Sequence, residues 1–175
     1  MDEVDYRLLE LLYEDGRAKL VRLAERLGLT HASVKERISK LISRGILRIQ
    51  GNVNLQKLGV RTALVLLEID DPANLERAVE EFSKCTKVLM VGLTSGEYNL
   101  FILLGGVDIA EFRDYIENVV RRRFRARKIY VSFGEIAKPA FYPALLGKST
   151  NCPFSECRAR REEACLGVQP WSYSE

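Results

Sequence analysis

No apolar run in this chain approaches the roughly 18 residues that a membrane-spanning helix needs, which excludes an integral helical membrane protein. The start of the chain lacks the basic stretch and apolar segment of a secretory leader. It opens instead on Asp2, Glu3 and Asp5, so the expected location is the cytoplasm. Histidine is almost missing: His31 is the only one in 175 residues. No nucleophile–base pair and no phosphate-cradling glycine loop is visible either, so the chain is not read as an enzyme. Four cysteines are too few for a disulfide-built scaffold. Net charge is small, formally +3 with pI near 8.7, so any case for nucleic acid must come from how the charge is distributed.

What is present begins with three short amphipathic patterns. Val4, Leu8, Leu11 and Leu12 share one helical face, and Asp15-Gly16 ends that run. Leu20, Leu23, Ala24 and Leu27 make a second pattern, stopped by Gly28. Thr30 is a natural N-cap for a third, carrying Val34, Ile38, Leu41 and Ile42 up to Gly45. A helix-turn-helix needs a small residue where its helices approach, a residue tolerant of the tight turn, an apolar pin and a cap. Ala24, Gly28, Leu29 and Thr30 supply these in order. Ile46 to Val53 then reads as a short β-ribbon turning at Gly51-Asn52, which would make the module winged.

After Gly59 the period changes. Arg61 to Ile69 reads as a strand, Asp71-Pro72 starts a helix to about Lys84, and Val88 to Thr94 reads as a strand. Ser95-Gly96 is a turn and Tyr98 to Leu104 another strand. Asp108 caps a helix to about Arg121, and Lys128 to Phe133 closes the series. The fold class is therefore α+β: an N-terminal winged helix-turn-helix followed by a ferredoxin-like β-α-β-β-α-β domain. Both helices fall on one face of such a sheet, and a partner subunit is the usual cover for the other. The expected divisions are 1–50 for DNA binding, 51–60 as ribbon and linker, 61–140 for ligand binding and oligomerisation, and 141–175 as an extension.

If residues 30–44 form the recognition helix, Thr30, His31, Ser33, Lys35, Arg37, Lys40 and Arg44 are the candidate contacts to double-stranded DNA. Its first residues would reach base edges, and the later cations would meet phosphates. Glu36 is the only acid between residues 26 and 67, against Lys35, Arg37, Lys40, Arg44, Arg48, Lys57 and Arg61. Arg37 has two readings, a phosphate contact or an internal salt bridge that braces the helix. A three-helix adaptor with a solvated basic face is the plainer alternative for the whole module.

The sequence resembles the Lrp/AsnC family, the feast/famine regulators of bacteria and archaea. The matching residues are Asp5, Glu14-Asp15-Gly16-Arg17, Leu23-Ala24, Gly28-Leu29-Thr30, Val34, Arg37-Ile38, Leu41, Gly45-Ile46, Leu58-Gly59 and Gly96-Glu97-Tyr98-Asn99. The resemblance implies a transcription regulator that dimerises through its second domain, often builds octamers, and binds pseudo-palindromic DNA. It also implies an amino-acid effector near the turn between the second and third strands of that domain, which points to Thr94, Gly96, Tyr98 and Asn99. The family's turn usually reads Gly-x-Tyr-Asp. Asn99 replaces the acid and removes the charge that would pair with an ammonium group. An architectural DNA-binding protein is the alternative within DNA binding. Haem-biosynthetic decarboxylases share the architecture, but the only histidine lies in the recognition helix.

Three cysteines crowd into the tail. No cofactor and no metal site is assigned, with Cys152, Cys157 and Cys165 as weak metal candidates, because their spacing fits none of the strong zinc patterns. Disulfide, metal and free thiols all stay open, and with them a metal- or redox-responsive regulator. Archaeal members resembling this chain can carry a longer tail in which Cys-x-Gly is followed by another cysteine, where this chain has Val168. Cys85, at a predicted helix end, reads as a buried small hydrophobe. The run Arg121, Arg122, Arg123, Arg125, Arg127 and Lys128 suits a helix C-terminus and a solvated strand end better than an extended DNA track.

Overall fold

The computed structural model describes residues 1–139, 141–143 and 152–157. They form two compact units that divide between Gly51 and Asn52. The first is three helices. α1 (Glu3–Glu14) starts on a reciprocal cap, in which Asp2 and Asp5 each accept the other's backbone N–H. α2 (Leu20–Leu27) ends on Gly28, whose φ of +66° lies in the left-handed region that glycine enters without strain. α3 (His31–Ser43) starts on Thr30, whose hydroxyl accepts the Ser33 N–H at 3.2 Å. Leu8, Leu12, Leu23, Ala24, Val34 and Leu41 close the core, with the small Ala24 buried among them.

The expected ribbon is not there. Residues 47–52 form no strand, so the first unit carries no β wing. Two local facts account for this. The Ile46 and Leu47 N–H groups both bond the Leu41 carbonyl, at 2.9 and 3.1 Å, which ties the would-be first strand to the end of α3. Past the turn, only Val53–Asn54 (β1) is extended before a 3₁₀ turn at Gln56–Leu58, too little chain for a hairpin partner. β1 pairs instead with Phe141–Tyr142 (β6) in the second unit. Leu55, Val60 and Tyr142 form a small core there with Leu89 and Ile136 against it. Residues 53–60 are thus packed rather than a linker, and residues 141–142 belong to a sheet rather than to an extension.

The rest of the second unit is β2 (Arg61–Glu68), α4 (Pro72–Ser83), β3 (Val88–Leu93), β4 (Leu100–Gly106), α5 (Ile109–Tyr115) and β5 (Lys128–Gly134). Asp71 caps α4 with Pro72 in its first turn, and Asp108 caps α5 through the Glu111 N–H. Past α5 the chain widens into a π turn over Ile116–Arg121, then ends in an α-helical turn, Arg122–Phe124. The sheet order β3-β4-β2-β5, antiparallel throughout, is the ferredoxin-like arrangement expected. Alternation along β2 sends Ala63, Val65 and Leu67 toward Phe82 of α4 and Phe112 and Tyr115 of α5. Leu64 and Leu66 point to the opposite face, beside Leu103, Phe101 and Tyr130 in register. Leu64, Met90 and Tyr130 are 37%, 45% and 51% exposed there. Among the described residues no helix is long and apolar enough to cross a membrane.

Candidate DNA interface and the second-unit turn

The capping hydroxyl of Thr30 fixes where α3 begins, and so which residues face outward. His31, Lys35, Lys40 and Arg44 are exposed, and Ser33 is half-buried beside the first turn. The same outward face also carries Ala32, Glu36, Ser39 and Ser43, which the reading of charges alone missed. The signal was available in the helical repeat: 32, 35, 36, 39 and 43 form one stripe. Glu36 and Lys40 pair at 2.7 Å, and that contact holds the Glu36 carboxyl below its ordinary range.

Arg37 resolves to the second of its two readings. Its guanidinium donates to Asp5 at 2.6 Å and to Asp2 at 2.8 and 3.0 Å, bolting α3 to the start of α1. It is removed from the set of DNA contacts on that ground. Asp2 and Asp5 are both held below the usual carboxylate range, Asp2 mainly by the Asp5 N–H and Asp5 mainly by Arg37.

In the second unit, Thr94, Gly96 and Tyr98 lie on the connection between β3 and β4, with Thr94 and Gly96 exposed and Tyr98 half-buried. The Thr94 hydroxyl donates to the Tyr98 carbonyl and closes the turn. Asn99 is otherwise engaged. Its Nδ2 donates to the Ile69 carbonyl at 2.8 Å while its Oδ1 accepts the Ile69 N–H at 3.0 Å. Its own N–H bonds the Leu67 carbonyl at 3.0 Å, and β4 begins at Leu100 and not at Tyr98 as expected. The amide serves both backbone groups of one residue, which a carboxylate cannot do.

An AsnC-type helix-turn-helix domain model matches residues 1–42. An HTH-type transcriptional regulator of Pyrococcus furiosus is 33% identical over 134 residues, covering 70% of this chain and 86% of the relative. This chain belongs to the Lrp/AsnC family. A solved regulator of Pyrococcus horikoshii overlays the Lrp/AsnC chain with a TM-score of 0.70 at 28% identity, over 79% of this chain and 93% of that one. A Neisseria meningitidis regulator solved as an L-Met complex shares the fold, with a TM-score of 0.69 at 20% identity over 83% and 96% of the two chains. The Lrp/AsnC chain is accordingly a DNA-binding transcription regulator and not an enzyme.

Four of the six cations in the basic run of this Lrp/AsnC protein pair within the chain. Arg121 pairs with Glu117, Arg123 with Glu81 and Glu156, Arg127 with Glu68, and Lys128 with Glu97. Of the tail cysteines, Cys165 lies outside the described residues. Cys152 and Cys157 do not trail in solvent; both are buried in the main core of the second unit, and so is Cys85. Hydrogen bonding with Cys152, then burial, raises the Cys85 thiol well above its ordinary range. The buried Tyr115 hydroxyl donates to Cys85 Sγ at 3.4 Å. No spacing in the sequence announced that Cys85 and the tail would meet.

Proposed function

We propose that this Lrp/AsnC regulator reads specific DNA sequences with α3 and acts as a dimer paired through the open face of its four-stranded sheet. The observation that carries the first half is the exposed face of α3. Lys35 can donate to guanine, Glu36 can accept from cytosine, and Ser39 can do either. A face mixing both charges with hydroxyls suits base edges better than a uniform coat of cations, and this favours sequence reading over architectural coating. Thr30, His31, Ser33, Lys35, Lys40 and Arg44 are the proposed contacts, with residues 1–50 as the DNA-binding part. Pairing is supported by the apolar side chains that β2, β3 and β5 leave exposed. Assembly of dimers into octamers follows the family.

A small effector such as an amino acid is proposed for the 61–140 part, at Thr94, Gly96 and Tyr98. The L-Met complex of the Neisseria relative supports this. Asn99 would shape that turn from behind. The test is selection of genomic fragments on the purified protein, followed by competition against scrambled DNA at stated salt. A pseudo-palindromic motif bound at least about 10³-fold more tightly than scrambled DNA is expected. A ratio near one would replace this reading with the architectural one.

A further inference from the structure

Across residues 27–66 seven cations stand against a single acid, Glu36. It is the sixth residue of α3, on the outward stripe with Lys35 and Ser39, and its side chain is 66% exposed. Its ion pair is with Lys40, one turn further along the same helix at 2.7 Å, and Lys40 is 69% exposed. A pair so exposed joins no two elements and adds little to stability. The groove along this flank of α3 carries the carboxyls of Asp2, Asp5 and Glu36 against the cations Arg37, Lys40 and Arg44. Its charge is balanced, unlike the cation-rich track of a surface that binds phosphate alone. A carboxylate brought up to DNA lowers affinity at every sequence unless a base offers it a donor.

We infer that Glu36 is a specificity filter: it admits cytosine at one position of each half-site and repels bases that present acceptors there, lowering general affinity for DNA and raising selectivity. This rests on the proposed reading of α3 as the recognition helix. In the major groove cytosine shows its N4 amine, while guanine and thymine show acceptors. A carboxylate only accepts, so opposite guanine or thymine it meets like partial charge with no hydrogen bond in return. Adenine sets its N7 acceptor beside its N6 amine, which leaves cytosine preferred. Lys40 sharpens the filter. Its ammonium fixes the carboxylate and, by that contact, holds the Glu36 carboxyl below its ordinary range, so the group is an acceptor at neutral pH. The same contact diverts part of the Lys40 charge from the DNA backbone.

The test is selection from a randomised duplex pool on the full chain, as wild type, Glu36→Gln and Glu36→Ala. Binding of each to the selected site and to scrambled DNA is then measured across a salt series. The wild type is expected to return cytosine at one position of each half-site. Glutamine both accepts and donates, and pairs with adenine N6 and N7, so Glu36→Gln should return adenine there. Glu36→Ala should lose the preference, its discrimination for cytosine at that position falling about 10-fold. Both variants should bind scrambled DNA more tightly than the wild type. The slope of log affinity against log salt should steepen by about one, because Lys40 is released to a phosphate. The side chain is exposed, so both variants are expected to fold as the wild type does. A motif that survives both substitutions unchanged, or weaker binding of both variants to scrambled DNA, overturns the filter alone. A wild type that selects no motif overturns the sequence-reading proposal and the filter with it.

Discussion

At Arg37 a cation on α3 is used on α1, with both Asp2 and Asp5 within 3.0 Å. The two carboxyls are held low in the folded state, so their contribution is present above the ordinary aspartate value, about 3.9. It fades as pH falls through the lowered folded-state values. Arg37→Gln is expected to lower the melting temperature at neutral pH, with the gap to wild type closing at the acid end. It should leave the slope of log affinity against log salt unchanged. Arg44→Ala, by contrast, should reduce that slope by about one if Arg44 meets a phosphate. Calorimetric melts and gel shifts across a salt series separate the two roles. Asn99 makes a similar case in the second unit. Asn99→Asp keeps the bond from the Ile69 N–H but loses the donor to the Ile69 carbonyl, at an expected cost of about 1 kcal/mol in denaturant unfolding. Equal stability of the two proteins would show that the amide is not needed there.

Capping residues made most elements of this chain legible. Thr30, Asp71 and Asp108 each sit where the sequence placed a helix start, because a side-chain oxygen opposite free N–H groups is a local requirement that needs no tertiary context. The strand order followed from the change of apolar period. The ribbon at 46–53 failed because its partner, Phe141–Tyr142, is distant in the chain and no local rule names it. Cys85 was legible as buried, but its thiol neighbours arrive on a segment whose packing rests on one aromatic, Phe154. The ion pair of Lys87 with Glu111 was equally invisible. Lys87 is 1% exposed at the start of β3, and Glu111 reaches it from α5 while also accepting the Val107 N–H at 2.8 Å. Glu111→Ala would leave an uncompensated buried ammonium and is expected to cost about 3 kcal/mol. Lys87→Met in the same background should recover most of that loss. No recovery in the double variant would mean that the pair is not what makes Glu111 matter.

For the molecule as a whole, the proposed reading makes affinity depend on presenting two recognition helices, since one buries little surface on DNA, and it assigns their pairing to the open sheet face. On it Phe101 lies across Gly92, where any added β-carbon would stand 2.4 Å from the ring, so the glycine lets the aromatic settle against the strand. Leu64 sits on the central strand β2, opposite Leu103 on one side and Ser132 on the other. Leu64→Asp places a charge in the middle of that surface without touching the core behind it, which alternate residues of the same strand supply. The expected product is a folded monomer by sedimentation, with unaltered far-ultraviolet dichroism. Two half-sites about 34–36 Å apart, one turn of DNA, would then be bound independently. Affinity for a two-half-site fragment should fall by about 100-fold, the lower range of what linking two modules contributes, while binding to a single half-site stays as it was. A dimer that survives Leu64→Asp would move the pairing surface off this face, and equal losses on one and two half-sites would trace the defect to folding instead of pairing.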